Sequence, residues 1–258
     1  MTVKSDPGGF PQRRLGDVPS VTAAQMREIQ RVAQEDYGLD ILQITENAGR
    51  AVAQVALAML GGRGGKGQRV LVLAGGGNKG AAGLCAVRHL VNWGIFATPV
   101  LAEVEGEMSF VARRQIHTLR TSGVVDAGNE SSEIDLEDRL AAADLVVDAL
   151  VGYGLEGPPS GMAAAVTELA MDAKKPILAL DVPTGVNATS GEPSQPSIRA
   201  CTTLMLDLPK RGLLEPAGRQ AAGELYLADL GLPRAAYQRV GITITGLFAE
   251  GPIVRVRR

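Results

Sequence analysis

The sequence predicts an α/β fold, a Rossmann-like three-layer α/β/α sandwich around a mostly parallel central sheet. Short runs of Val, Leu and Ile recur without polar alternation, as expected of strands buried on both faces. Stretches of helical period separate these runs, and a parallel sheet needs such crossover segments. The chain also carries 32 glycines in 258 residues, well above the usual share of about 7%. Tight turns and close backbone approaches are therefore expected where the strands end.

Residues 1–20 hold Pro7, Pro11, Pro19 and the pair Arg13-Arg14 without any hydrophobic period, and read as a flexible or extended arm. Residues 21–258 read as one domain. Thr22 and Gln25 have the spacing of a capping box, and Met26, Ile29 and Ala33 follow at helical intervals. A second helix is predicted over 40–60, with Ile44, Ala48, Val52, Val55 and Met59 on one side and Gly61-Gly62 as its stop. The first strand is predicted over 69–74, and a helix over 81–93 follows a Gly-rich turn. A strand over 97–101, a helix over 107–121 and a strand over 145–150 come next. A helix over 161–173 and strands over 176–181, 201–206 and 224–228 complete the sheet. Arg255, Arg257 and Arg258 read as a solvated tail. No long linker or internal repeat divides the chain.

The formal net charge of -2 gives no electrostatic footprint for nucleic acid or an anionic membrane. No run of 18 apolar residues and no apolar N-terminal core of a signal peptide occurs, so a cytoplasmic protein is expected. Cys85 and Cys201 are too few for a disulfide framework. Both lie in apolar runs and read as buried thiols. His89 and His117 are the only histidines, which argues against a zinc site or a His-based triad. His89 reads as a half-buried structural residue, and Trp93 and Tyr37 as core or interface residues.

Ligands of open parallel sheets bind at the carboxyl ends of the strands. Three strands here run into polar or Gly-rich segments: 75–83, 148–157 and 181–187. A fourth, Leu208-Pro209-Lys210-Arg211-Gly212-Leu213, follows a later strand. The loop over 75–83 enters a helix, where free N–H groups and the dipole favour a phosphate. It matches neither the dinucleotide fingerprint nor a Walker A loop, so a plain strand-to-helix turn stays open, as it does for 152–157. Asp148 and Asp181 close apolar strands and need partners, whether as caps, turn formers or site residues. Lys210 is either a surface charge or a cleft residue. Paired in one cleft, Asp181 and Lys210 would supply an acid and a base to opposite faces of a substrate carbon.

Several segments carry a resemblance: Tyr37-Gly38-Leu39, Thr45-Glu46-Asn47-Ala48-Gly49, Asp148-Ala149-Leu150-Val151-Gly152-Tyr153-Gly154-Leu155, Asp181-Val182-Pro183-Thr184-Gly185-Val186-Asn187, Lys210-Arg211-Gly212-Leu213 and Ala228-Asp229-Leu230-Gly231-Leu232-Pro233. In this order they resemble the N-terminal domain of the YjeF family, the NAD(P)H-hydrate epimerases, over residues 21–233. The resemblance implies a Rossmann-like fold, a homodimer, and interconversion of the R and S forms of hydrated NADH or NADPH in cofactor repair. It implies that Asp181 and Lys210 are the catalytic pair. It places substrate against Asn78, Lys79, Gly80, Ala81, Ala82 and Asp181, with Gly152, Tyr153, Gly154, Leu155, Glu156, Gly157 and Pro158 along the phosphates. It also implies a potassium ion at Asp148 and Thr184. The dehydratase domain of some members is not expected after residue 233.

The family's Gly-rich loop usually reads Asn-Asn-Gly-Gly-Asp-Gly, whereas this chain has Asn78-Lys79-Gly80-Ala81-Ala82-Gly83. An ammonium beside an ion site repels a second cation. The Lys79 ammonium is therefore expected to replace potassium and pair with Asp148. Loss of the acidic residue at Ala82 leaves two functions open: the epimerase, or a divergent member with lost or changed activity that acts as a nucleotide-like binding or interaction protein.

Overall fold

The computed structural model describes residues 8–62, 67–125, 133–154 and 157–257. Helix α1 (Ala23–Arg31) begins on the expected capping box: Gln25 N donates to Thr22 Oγ1 at 3.1 Å, and Thr22 N donates to Gln25 Oε1 at 3.0 Å. A π-type turn over Val32–Asp36 continues it. Helix α2 (Ile41–Met59) starts on a second capping box, Asp40 with Gln43. These side chains satisfy N–H groups that the first turn of a helix leaves unpaired.

The sheet has eight strands: β1 (Gln12–Arg14), β2 (Arg69–Ala74), β3 (Phe96–Leu101), β4 (Leu145–Ala149), β5 (Ile177–Leu180), β6 (Thr202–Leu206), β7 (Glu224–Ala228) and β8 (Ile253–Arg257). Their order is β1-β8-β7-β6-β5-β4-β2-β3. All neighbours are parallel except β7 and β8. Helices α3 (Asn78–Asn92), α4 (Phe110–Thr121), α5 (Glu133–Ala142), α6 (Gly161–Asp172), α7 (Pro216–Ala222) and α8 (Arg234–Gln238) complete the chain. Side chains of β2 alternate between two cores: Val70, Val72 and Ala74 pack with α1–α4, and Leu71 and Leu73 with α5 and α6. The three-layer expectation holds because strands clad on both faces have no polar side.

The two ends of the chain differ from expectation. Residues 12–14, read as part of a flexible arm, dock as β1 beside β8, and Val18 is buried. Residues 253–257 form strand β8 rather than a solvated end, Arg258 lies outside the described residues, and Arg255 pairs with Glu224 and lies over the Tyr226 ring. A three-residue strand and an alternating Val/Arg strand leave too little apolar periodicity to read from sequence. Cys201 is exposed at the start of β6, whereas Cys85 is buried as expected. Burial pushes the Cys85 thiol up to about 12. His89 is structural: its Nε2 lies 2.8 Å from Glu46 Oε1, and Arg88 donates to the same carboxylate, clamping α3 to α2.

Strand β2 lies between β3 and β4. The chain therefore leaves it first toward one edge and later continues from its other side. The crevice between the carboxyl ends of β2 and β4 is the switch point at which open α/β sheets bind ligands.

Candidate active site

The β2–α3 turn is tighter than the sequence suggests, and α3 begins at Asn78 rather than 81. Gly75 N donates to Ala149 O at 3.0 Å, which ties the turn to β4. A Cβ on Gly80 would stand 1.8 Å from Gly75 O, and one on Gly75 would stand 2.1 Å from Leu150 O. Gly80→Ala is expected to lower stability by about 1–3 kcal/mol, because displacing backbone outweighs the roughly 1 kcal/mol of helix propensity that Ala adds. Thermal denaturation checks this, and an unchanged midpoint would show that the turn can open freely.

That turn aims Lys79 into a cage of oxygens. Its Nζ lies 3.2 Å from each of Asp148 Oδ1 and Oδ2, 3.0 Å from Val151 O, 2.8 Å from Val182 O and 3.2 Å from Thr184 Oγ1. Asp148, at the end of β4, also accepts from Leu150 N at 3.1 Å, Thr184 N at 2.8 Å and the Thr184 hydroxyl at 2.6 Å. The carboxylate is thus fully satisfied although buried, which is the condition for a tolerable buried ion pair. Burial pushes the Lys79 ammonium below the ordinary lysine value, and Asp148 opposes that shift. With the Thr184 proton committed to Asp148, every cage atom faces Nζ as an acceptor, so the cage selects the protonated amine. The expected pairing of Lys79 with Asp148 is present. The potassium ion implied by resemblance does not fit beside it: the oxygens of Asp148 and Thr184 already converge on Nζ, and an ion there would overlap the nitrogen.

Asp181 follows β5 at φ +66, a left-handed backbone that few non-glycine residues adopt. Such strain persists only where the surroundings enforce it. Here Asp181 N donates to Leu204 O at 2.7 Å, and Asp181 Oδ1 accepts from Leu206 N at 3.2 Å. Lys210 Nζ donates to the same Oδ1 and, at 2.7 Å, to Leu206 O. The Lys210 backbone is held by the segment before α1: Val21 N donates to Pro209 O and Arg211 N to Val21 O, both at 2.9 Å. Nζ also lies 5.4 Å from the centroid of the Tyr153 ring, whose hydroxyl donates to Gln30 Oε1 at 2.6 Å. Among the described residues, Asp181 Oδ2 has no hydrogen bond; it faces the Gly152 side.

Asp207 is a carboxylate that sequence reasoning missed. It is fully buried at φ +70, and Oδ2 accepts the Tyr237 hydroxyl. Oδ1 has no partner among the described residues. Burial pushes its pKa up to about 7, against the opposing effects of Tyr237 and Lys210. The folded state therefore holds a proton that the unfolded chain releases above about 3.8. This contribution is full below pH 4 and is lost as pH rises toward 7, by about 4 kcal/mol in all. Asp207→Asn, whose amide oxygen can still accept the Tyr237 hydroxyl, is expected to flatten the dependence of Tm on pH across that window. A parallel curve for the variant would reject the assignment.

A cavity of about 470 Å³ opens at the switch point, lined by Asn78, Lys79, Ala82, Gly152, Tyr153, Gly154 and Asp181 among the expected residues. Asp148, Thr184 and Lys210 lie behind its wall. Gly80 and Ala81 face the core instead, because the turn packs Gly80 on Gly75. Gly157 and Pro158 line a smaller, separate groove with Gly185 and Asn187. Leu155 and Glu156 lie outside the described residues. Asp181 and Lys210 meet, but as a contact pair on one side of the cavity, so they cannot flank a carbon from opposite faces. The cavity also takes Arg27, Gln30, Thr45, Glu103, Leu150 and Leu206. Arg27 and Gln30 come from a helix whose pattern signalled only its buried face. A larger groove of about 610 Å³, lined by Leu15, Cys201, Arg219 and Glu224, opens where β6 and β7 begin and gathers no converging carboxylates.

A profile of the family described as YjeF-related protein N-terminus matches residues 42–212. The NAD(P)H-hydrate epimerase of Dehalogenimonas lykanthroporepellens is 41% identical over 93% of this chain and 93% of its own length. The bifunctional NAD(P)H-hydrate repair enzyme Nnr of Moorella thermoacetica is 33% identical over 83% of this chain, which spans only 41% of that relative. The crystal structure of the yeast protein YNL200c superposes with a TM-score of 0.79 at 26% identity, covering 92% of this chain and all of that one.

Proposed function

The chain belongs to the YjeF-related N-terminal family, and from that premise we propose that it is an isomerase that interconverts the R and S forms of hydrated NADH or NADPH. The observation that carries the reading is Asp181: one carboxylate oxygen is locked by Lys210 and Leu206 N, and the other is open at the cavity wall. Hydration of an enamine places the hydroxyl on the carbon bonded to the ring nitrogen. That carbon inverts without losing its C–H hydrogen. Asp181 Oδ2 takes the hydroxyl proton as the C–N bond opens, and the electron pair goes to nitrogen. The resulting carbonyl turns its other face, nitrogen re-adds, and the proton returns from Asp181 to oxygen. One acid/base group suffices, which fits a contact pair better than two opposed groups. Lys210 is the positioning residue that keeps Oδ1 occupied and Oδ2 aimed.

Tyr153, Thr45 and Ala48 supply a partly apolar cavity for the nicotinamide end. The N–H groups at the start of α3 and the Arg27 guanidinium suit the phosphates. The homodimer implied by the same resemblance is part of this proposal, and size-exclusion chromatography tests it. No helix among the described residues is long and apolar enough to cross a membrane. The decisive experiment resolves the R and S hydrates by chromatography after one pure epimer is mixed with the protein. Acceleration of their exchange well above the spontaneous rate is expected, and an unaltered rate overturns the proposal.

A further inference from the structure

The cage around Lys79 has the composition of a hard-cation site. It offers one carboxylate, two main-chain carbonyls and a hydroxyl, all oxygen, drawn from two separate stretches of chain, 148–151 and 182–184. Carbonyl and carboxylate oxygens are the donors that hard cations select. An ordinary buried lysine pairs with one carboxylate and leaves its stem among apolar groups. Here two carbonyls that lie outside the sheet ladder, Val151 O and Val182 O, turn inward onto the same nitrogen. Two loops therefore depend on a positive charge at this point. Lys79 comes from neither of them; it reaches across from α3 to join the ends of β4 and β5.

We infer that Lys79 is a tethered cation: its ammonium holds the β4 and β5 loops in their binding conformation, in place of the free potassium ion that the family resemblance implies. The charge is delivered in cis, so loop order does not depend on the ion concentration. Ala82 belongs to the same arrangement. It stands one helical turn beyond Lys79, where side chains three apart are neighbours. A carboxylate there would offer the ammonium a partner outside the cage, whereas Ala82 leaves Asp148 as its single carboxylate contact. The two departures in the Gly-rich loop thus act together.

The inference rests on the proposed epimerase only for its activity arm. Melting temperatures of the wild type and of Lys79→Asn are measured in potassium chloride and in choline chloride at equal ionic strength, with epimerisation rates alongside. The wild type is expected to show the same Tm in both salts and rates that differ by less than about twofold. Lys79→Asn empties the nitrogen position and is expected to lose about 10–100-fold in rate in choline, as loss of a group supporting an ion site does. Potassium is expected to restore that rate and raise the variant's Tm. A wild-type Tm or rate that climbs with potassium overturns the inference, as does a Lys79→Asn protein indifferent to the ion. If that variant does not fold in either salt, the same comparison on Lys79→Gln decides. Absence of epimerisation in every protein would reject the proposed function, while the melting arms would still decide the role of Lys79.

Discussion

Asp181→Asn is expected to lower the epimerisation rate by about 10²–10⁴-fold, the range that a positioned proton-transfer group supplies. The amide oxygen can still accept from Lys210 and Leu206 N, so the cavity wall keeps its shape. The open Oδ2 position becomes an NH₂ group that cannot take the hydroxyl proton. The loss should fall on kcat, with substrate binding little changed, because the substituted atom acts in the proton transfer. Lys210→Met offers the contrast. It removes the lock on Oδ1 and leaves Oδ2 in place, so its defect should be partial and should alter the pH profile. Rates for both variants, with circular dichroism to confirm the fold, check this pair of expectations. Near-normal turnover by Asp181→Asn would remove the carboxylate from the mechanism.

Asp148→Asn carries the largest expected loss of stability. It leaves the Lys79 ammonium buried without a counter-charge, and breaking one side of a buried pair costs about 3–5 kcal/mol. For a chain of this size that corresponds to a fall in Tm of roughly 6–20 °C. The damage belongs to the stranded charge more than to the missing carboxylate. The double variant Lys79→Met with Asp148→Asn is therefore expected to melt above Asp148→Asn alone, with a coupling of about 0.5–3 kcal/mol. Scanning calorimetry of the two single variants and the double variant reads that coupling directly. Strict additivity would mean that the two side chains do not depend on each other.

Elements with a strong local period were legible before any coordinates. The capping box at Thr22, the helix that starts at Asp40, the buried strands β2, β4 and β7, and the polar residues at their carboxyl ends all follow from spacing and residue type. Strands β1 and β8 were not legible, because three residues carry no period and alternating Val and Arg reads equally as a tail. Asp207 was hidden for a related reason: it sits among Leu206, Leu208 and Pro209, and only the approach of Tyr237 from α8 makes it a buried pair.

The sequence by itself determined that this is a doubly clad parallel sheet and that Lys79, Asp148, Asp181 and Lys210 gather where strands end. Local period and residue chemistry act within a few positions, and these features need no more than that. Only the tertiary structure decided how the four charges are shared. Lys79 crosses 69 positions of chain to Asp148, and Lys210 crosses 29 to Asp181. That Asp181 and Lys210 touch on one side of the cavity, and which carboxylate oxygen is left open, depends on the packing of loops against one another. No spacing in the sequence encodes that, because the loops meet only where the sheet sets the strand ends side by side.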